Sequence, residues 1–248
     1  NGSFGVLAQI EQDVAGFEAF VRRSAAVALR TAPGFLPSPP AGETRKDRVK
    51  RAREEIMGKL CGRYSDGRPL AAPRNAPSDD FDYAQDADGY GCPFGSHVRR
   101  MNPRGEAVPH AVRARPLLRR GMPYGDAWCG KADGKERGIL GQFFCTSIED
   151  QFEHLVGQWG DRVPIGSADG GGARDPLIGA HEHGDGAFEI RLDRDQRPLR
   201  LDGLRPFTRT RGVAYLFYPS LPVLEGMIEE RPWFALDKDD LEHDAAGR

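Results

Sequence analysis

The 248-residue sequence has few cysteines, no large excess of either charge and no long apolar run. Its four cysteines lie far apart and form no CxxC pair, so we expect free or buried thiols rather than a disulfide framework. Lysine and arginine number 35 against 37 acidic residues. This balance excludes a strongly basic nucleic-acid binder that neutralises phosphates. Because no apolar run approaches the roughly 18 residues of a membrane span, neither nucleic acid nor a membrane is an expected partner.

The N-terminus shows no charged region followed by an apolar one, so no signal peptide is recognised. A cytoplasmic location is therefore expected, or a secreted one if an upstream signal has been removed. The sequence opens at Asn1 directly before a strand-like segment. We expect that an upstream segment was removed by processing or is carried by another chain.

Apolar spacing predicts an α+β domain. Strand patterns cover 4–10, 139–145 and 213–218, with a weaker one near 117–123. Helical patterns follow Asp13, cover 44–60, follow Ser147 and cover 222–230. The 31 glycines and 19 prolines predict long loops at about 31–95 and 160–187. The predicted architecture is one domain over 1–248, a ferredoxin-like antiparallel sheet with helices on one face.

One segment concentrates residues that suit an anionic ligand. The run GCPFGSHVRRMNPR (91–104) places His97 among Arg99, Arg100 and Arg104. Arginine binds carboxylates and phosphates through its planar fork, so this basic cluster in a net acidic chain implies a local anionic partner. The alternative is a satisfied structural histidine beside arginines that form surface ion pairs.

The order of several motifs resembles that of the dye-decolourising (DyP-type) haem peroxidases. The motifs are NGSFGVLAQIEQDV, GRYSDGRPL, CPFGSHVRRMNPR, LLRRGMPYG, RGILGQFFCTSIEDQFEHLVGQW, DPLIG and RGVAYLFYPS. The resemblance covers nearly the whole chain and implies the haem-bearing C-terminal half of a dimeric ferredoxin-like fold. It also implies haem b as cofactor, and oxidation of organic electron donors by hydrogen peroxide through a high-valent iron–oxo state.

The resemblance assigns roles to individual residues. His97 matches the proximal iron ligand, and Asp175 of DPLIG is the candidate carboxylate that accepts its other N–H. Arg119 matches the distal arginine, whose charge would assist cleavage of the peroxide O–O bond. Arg99 and Arg104 are candidate partners of the haem propionates. Asp175 could instead be a loop or cap residue, and the two candidate propionate partners could be surface arginines.

The family's catalytic aspartate lies in a GxxDG motif upstream of the NGSF-like segment. Two GxxDG strings occur here, ending at Asp133-Gly134 and Asp169-Gly170, but both lie in the wrong place in the motif order. Loss of such a proton shuttle costs about 10²–10⁴-fold in rate. We therefore expect a second polypeptide, or a cleaved N-terminal half, to supply the acid and to cover the sheet.

The second departure is Gly141, which stands where the family usually has a bulky residue. In this register Ile139 and Gly141 face the iron from one side of a strand. A glycine there predicts a roomier distal pocket that admits an organic substrate. The alternative is a β-bulge, or local repacking in which Phe143 or Phe144 fills the space.

Three functions are consistent with these residues. The first is a haem peroxidase subunit completed by a partner chain. The second is a specialised biosynthetic haem enzyme that acts on a small molecule in an enlarged distal pocket. The third is a non-catalytic haem-binding subunit, which would have no use for Arg119.

Other residues give weaker signals. His181 and His183 could hold a metal ion, although their glycine-rich surroundings favour a mobile loop. Trp128, Trp159 and Trp233 could relay electrons to the surface, although the helical spacing around Trp159 favours a core position.

Overall fold

A computed structural model describes residues 2–71, 81–104, 115–161, 174–182, 184 and 186–229. The strands are β1 (Gly2–Gln12), β2 (Leu118–Tyr124), β3 (Gly138–Cys145), β4 (Gly186–Ile190), β5 (Leu199–Leu204) and β6 (Thr208–Pro219). The α-helices are α1 (Val14–Thr31), α2 (Arg45–Cys61), α3 (His97–Met101) and α4 (Leu221–Ile228). A π-helix spans Ile148–Trp159, and a short 3-10 helix spans Ala84–Asp86.

The larger sheet has four antiparallel strands in the order β2-β3-β1-β6. This order, with helical segments after the first and third of these strands, is the ferredoxin-like arrangement. The predicted fold class is confirmed, and the weaker strand expected near 117–123 is present as β2. The pairing of β1 with β6 shifts between Gln9 and Ile10, which marks a bulge or irregularity at one end of the sheet.

Local sequence signals start the first two helices where they were predicted. The carboxylate of Asp13 accepts the N–H of Gly16 at 2.8 Å and caps α1. Thr44 and Asp47 form a capping box at the start of α2. Gly62, with φ of 94°, ends α2 in the left-handed conformation that glycine adopts without a steric penalty.

A second sheet, the β4–β5 hairpin, was not predicted from the sequence. Its two strands frame a turn rich in aspartate and arginine, and their alternating apolar residues include Phe188, Ile190, Leu199 and Leu201, which are buried. Helices α1 and α2 pack on each other and, through α1, against β5 to form an apolar core.

The π-helix packs on the larger sheet, against β1 and β3. Ser147 caps it by accepting the N–H of Asp150 at 3.1 Å. The apolar spacing after Ser147 predicts a buried stripe of Ile148, Phe152, Leu155 and Trp159; the last three are buried and Ile148 is half-buried. The wider π winding was not predicted, because the same apolar spacing also fits an α-helix.

Apolar side chains remain exposed along both edge strands of the larger sheet. On β2 these are Leu118 and Met122, and on β6 they are Val213, Tyr215 and Phe217. We refer to these five side chains as the exposed edge residues. The register places the two residues of β2 on one face of the sheet and the three residues of β6 on the other face, so they form two separate exposed apolar groups.

The four cysteines are free thiols. Within the described parts of the chain, no helix is both long enough and apolar enough to cross a membrane.

Candidate functional site

His97 is the first residue of the short helix α3, directly after the buried Ser96. Its Nδ1 lies 2.8 Å from Oδ2 of Asp175, a residue 78 positions away in sequence. The imidazole is a quarter exposed, whereas the Asp175 side chain is fully buried. The structure therefore brings these two predicted site residues together, with a buried carboxylate behind a partly accessible imidazole.

The Asp175 carboxylate is held by its own backbone as well as by His97. Its Oδ1 accepts the N–H groups of Leu177 and Ile178 at 2.8 and 3.0 Å. Behind it, Nε2 of the buried His181 lies 2.8 Å from the carbonyl oxygen of Asp175. The role of His181 was missed, because its glycine-rich surroundings suggested a mobile loop. His183 lies outside the described residues.

The pKa of Asp175 is lowered from its ordinary value of 3.8. Burial acts to raise this pKa, but the charge and hydrogen bond of His97 and the two backbone N–H groups outweigh that effect. The carboxylate therefore stays ionised at neutral pH and can act as the acceptor for the Nδ1–H of His97. In this tautomer the Nε2 lone pair is available to a metal or to haem iron.

Arg99 is not placed to contact a haem propionate. Its side chain is 1% exposed and lies between the rings of Tyr83 and Phe94. It donates to the carboxylate of Asp86 at 3.0 Å and to the carbonyl oxygen of Cys92. A side chain this buried has no surface left for a ligand, so the assignment of Arg99 as a cofactor contact is corrected.

Arg104 lies three residues after the end of helix α3 and has a positive φ of 32°. Its guanidinium stacks over the ring of Phe81, 4.3 Å from the centroid, and is half-buried. A contact between Arg104 and a haem propionate remains a prediction.

Arg119, Ile139 and Gly141 share one face of the larger sheet. Arg119 pairs with Phe143 across β2 and β3, while Gly121 pairs with Gly141, and paired residues in antiparallel strands lie on the same face. Arg119 is exposed on the edge strand. The register therefore places the three predicted distal residues on the face against which the π-helix packs.

Gly141 does not open the enlarged space that the sequence predicted. A Cβ atom at this position would lie 2.8 Å from Cε2 of Phe143 and 3.0 Å from its Cζ. The Phe143 ring therefore leans over Gly141, and it also contacts Phe152 with ring centroids 5.1 Å apart. Because β3 pairs with β1 and β2 without a register shift here, the alternative that applies is local repacking by Phe143, without a bulge.

Cys61 lies at the end of α2 and is half-buried. Burial raises the pKa of its thiol, the charge of Asp175 adds to that effect, and the guanidinium of Arg119 opposes it. A thiol with a raised pKa is a poor nucleophile at neutral pH.

The literal GxxDG string at Asp133 has a structural explanation. Asp133 forms an ion pair with Arg137, with 2.6 Å between Oδ2 and Nη2. The hydrogen bond from Arg137 lowers the pKa of this carboxyl far below its ordinary value, and such a carboxylate is a poor proton shuttle. Arg137 also lies over the ring of Trp128. Asp169 and Trp233 lie outside the described residues.

Among the residues that the structure describes, no group of three or more His, Cys, Asp and Glu side chains could hold a metal ion. Within this part of the chain, His97 has Asp175 as its carboxylate partner but does not belong to such a group. A single imidazole with a buried carboxylate partner instead suits a metal whose other ligands come from a prosthetic group, as in haem. A ferredoxin-like sheet with this histidine–aspartate pair defines a candidate haem-binding protein.

No protein-family model matches the chain. The chain is 29% identical over 197 residues to the multifunctional dye peroxidase of an Amycolatopsis species, a match that covers 71% of this chain and 42% of that protein. It is 25% identical over 250 residues to a dye-decolorizing peroxidase of Exidia glandulosa, covering 92% of this chain and 45% of that protein.

Solved structures agree with the sequence matches. The Amycolatopsis enzyme structure superposes with a TM-score of 0.67 at 28% identity, over 89% of this chain and 48% of that chain. A fungal DyP-type peroxidase from Auricularia auricula-judae shares the fold, with a TM-score of 0.68 at 20% identity over 92% of this chain and 53% of that chain. The chain is therefore homologous to dye-decolourising peroxidases over most of its length, and it spans about half the length of these relatives.

Proposed function

We propose that this chain is the haem-binding part of a hydrogen-peroxide-dependent peroxidase that oxidises organic electron donors. The observation that carries the proposal is the contact between His97 Nδ1 and the buried carboxylate of Asp175. Homology to proteins named dye-decolorizing peroxidases supports the same reaction class. In the overall reaction one peroxide takes two electrons and two protons to give two waters, and two donor molecules supply one electron each.

The residues present fit haem b as the cofactor. His97 would hold the iron through Nε2, because its Nδ1 is engaged by Asp175. The imidazole is a quarter exposed, so it stays accessible to a ligand, whereas Asp175 is fully buried. When bound, the haem supplies the redox chemistry of peroxide reduction. Asp175 keeps the Nδ1 proton in place and increases electron donation from the imidazole.

Arg119 would act on the peroxide side of the site. It is exposed on the same sheet face as Ile139 and Gly141, where its charge can stabilise negative charge that develops on the departing oxygen. Donors of this type contribute about 10²–10³-fold to rate. Arg104, half-buried three residues after helix α3, would be a propionate partner.

The acid that moves a proton between the two peroxide oxygens would come from polypeptide outside these 248 residues. The relatives are about twice as long as this chain, and the exposed edge residues provide apolar surface for such a polypeptide to cover. We propose that this polypeptide is a second chain or a cleaved N-terminal half, and that the 248 residues form one haem-binding domain.

The packing of Phe143 over Gly141 disfavours the biosynthetic alternative. That alternative depends on an enlarged pocket, whereas the ring occupies the space in which a larger side chain would stand. The non-catalytic alternative is disfavoured by the placement of Arg119 on the same sheet face as Ile139 and Gly141.

The test is peroxide consumption by the haemin-loaded chain with a dye as electron donor, alone and with proteins that co-purify from its source. We expect two dye molecules oxidised by one electron each per peroxide, at a rate well above that of free haemin. We also expect about 10²–10⁴-fold acceleration when the partner that carries the acid is added. A rate equal to that of free haemin under both conditions would contradict the peroxidase proposal. Full activity of the chain alone would contradict the proposal of an external acid.

A further inference from the structure

The turn that leads into His97 is held by a buried ion pair. The Asp86 carboxylate accepts the backbone N–H of Gly91 at 2.8 Å and that of Cys92 at 2.7 Å. The same carboxylate accepts a hydrogen bond from Nη1 of Arg99 at 3.0 Å. One side chain therefore binds two consecutive amides of the turn and a residue of the helix that carries His97.

Arg99 completes the arrangement from the other side. It donates Nη1 to the carbonyl oxygen of Cys92 and Nη2 to the carbonyl oxygen of Asp86 at 3.0 Å. The rings of Tyr83 and Phe94 lie on either side of its guanidinium, each centroid 4.4 Å from Cζ. Because the guanidinium is planar, this stacking fixes the plane in which its hydrogen bonds point.

The same turn is also attached to α2. Lys59 donates to the carbonyl oxygens of Tyr90 and Gly91 at 2.8 and 2.6 Å. Ser96, directly before His97, donates its hydroxyl to the carbonyl oxygen of Lys59. Backbone groups of Tyr90, Gly91 and Cys92 are thus paired by the side chains of Lys59, Asp86 and Arg99, as little-exposed backbone requires.

Stability alone is a weak explanation for this ion pair. The Arg99 side chain is 1% exposed and that of Asp86 11% exposed, so both charges are largely removed from water. Such pairs add little net stability over apolar side chains of similar size, because desolvation offsets the attraction. The pair instead fixes a backbone conformation, because the hydrogen bonds of Asp86 and Arg99 constrain the turn that leads into His97.

We propose that Asp86 and Arg99 are positioning residues that fix the His97 imidazole against Asp175. Arg99 follows His97 by two residues in the five-residue helix α3, so a shift of Arg99 moves the first turn of that helix. The inference rests on the proposed role of His97 as haem ligand. It gives Arg99 a role in the site that is different from a propionate contact.

The experiment uses Asp86→Asn and Arg99→Lys, with Asp88→Asn as the matched control. Asp88 lies in the same loop but is exposed, and its nearest partner is Arg194 at 3.9 Å. The first measurement is the NMR signal of the His97 Nδ1 proton in the haem-free chain. The second is the iron–histidine stretching band of the haemin-loaded, reduced chain.

We refer to the Asp86–Arg99 ion pair as the clamp. We expect both clamp variants, Asp86→Asn and Arg99→Lys, to broaden or shift the Nδ1 proton signal and to split or weaken the iron–histidine band. Haemin affinity should fall about 10–100-fold, the effect typical of residues that orient a metal ligand. The Asp88→Asn chain should match the unsubstituted protein in every measurement. Arg99→Lys, which keeps the charge but loses the fork, decides the matter if Asp86→Asn does not fold.

An unchanged Nδ1 signal and an unchanged iron–histidine band in a folded clamp variant would overturn the proposal, even if its melting temperature fell. A second outcome separates the two proposals. If the clamp variants change the Nδ1 signal of the haem-free chain but neither they nor the unsubstituted protein bind haem, the clamp is supported and the proposed haem function is contradicted. The two proposals therefore fail separately.

Discussion

Nδ1 of His97 lies 2.8 Å from Oδ2 of Asp175, and the carboxylate is fully buried behind a partly exposed ring. Seventy-eight residues separate the pair along the chain. Two further backbone N–H groups, from Leu177 and Ile178, hold the other carboxylate oxygen. The aspartate is therefore fixed before any ligand binds, and the ring is oriented with Nε2 away from it.

Asp175→Asn should destabilise the haem-free chain by about 1–3 kcal/mol, because it removes the charge that pairs with His97 in a buried site. The amide oxygen can still accept the backbone N–H groups, so the fold should persist. Urea unfolding measures this difference. Asp202→Asn, at an exposed ion pair with Arg200, should stay within about 0.5 kcal/mol of the unsubstituted chain. Equal losses in the two variants would show that burial of the Asp175 charge pair is unimportant.

The free energy of unfolding should fall in acid because of Asp175. In the folded chain its pKa is lowered from the ordinary value of 3.8: burial acts to raise it, but the attraction and hydrogen bonding of His97 outweigh this. The unfolded chain therefore takes up the proton first as the pH drops. The stabilisation is present above about pH 4 and is lost as the pH falls through the folded-state pKa. Urea titrations from about pH 5 to pH 2 should give a shallower decline for Asp175→Asn. Parallel declines would contradict this assignment.

Gly141→Ala should destabilise the chain by about 1–3 kcal/mol through overpacking. The new Cβ would lie 2.8 Å from the Phe143 ring, which must then move. The double variant with Phe143→Ala should lose less than the sum of the two single losses, because the clash is removed. Urea unfolding of all three variants gives this coupling free energy.

Gly157→Ala is the matched control, because no heavy atom lies within 4 Å of its added Cβ. This exposed position in the π-helix should tolerate alanine without loss of stability. If Gly141→Ala is equally harmless, Phe143 does not occupy the space above Gly141 in solution.

The proposed role of Arg119 predicts that Arg119→Ala slows peroxide reduction by the haemin-loaded protein about 10²–10³-fold, because the charge proposed to stabilise the departing oxygen would be lost. Since Arg119 is exposed on an edge strand, its loss should leave the unfolding free energy within about 0.5 kcal/mol. Arg120 pairs with Gln142 and lies on the opposite face of β2. In rapid-mixing kinetics, the Arg120→Ala variant should therefore reduce peroxide at nearly the rate of the unsubstituted protein. Equal slowing by both variants would contradict the proposed role of Arg119.

Short-range signals made much of the sheet predictable from the sequence. The caps at Asp13 and Ser147 and the apolar alternation in β1, β3 and β6 depend on neighbouring residues, so they can be read locally. The β4–β5 hairpin was missed because the glycine-rich stretch before it suggested a continuous loop. The π winding of 148–159 was missed because the apolar spacing fits either kind of helix.

The candidate site was predictable where a motif carried the residue. His97, Asp175 and Arg119 each lie in a recognisable motif, whereas the link from His181 to the Asp175 carbonyl depends on tertiary packing. For Arg99, by contrast, the motif did not predict the partner. Its sequence context suggested an anionic ligand, but its anion is Asp86 of the same chain. The space above Gly141 also depended on a rotamer of Phe143, which sequence does not specify.

The central claim is that this chain binds haem through His97, and a spectroscopic titration with haemin tests it most directly. We expect one haemin per chain and a Soret band characteristic of histidine-bound haem. His97→Ala should lower the affinity at least about tenfold and change the band, while His154→Ala should have no effect. An unchanged affinity and an unchanged spectrum for His97→Ala would contradict the account.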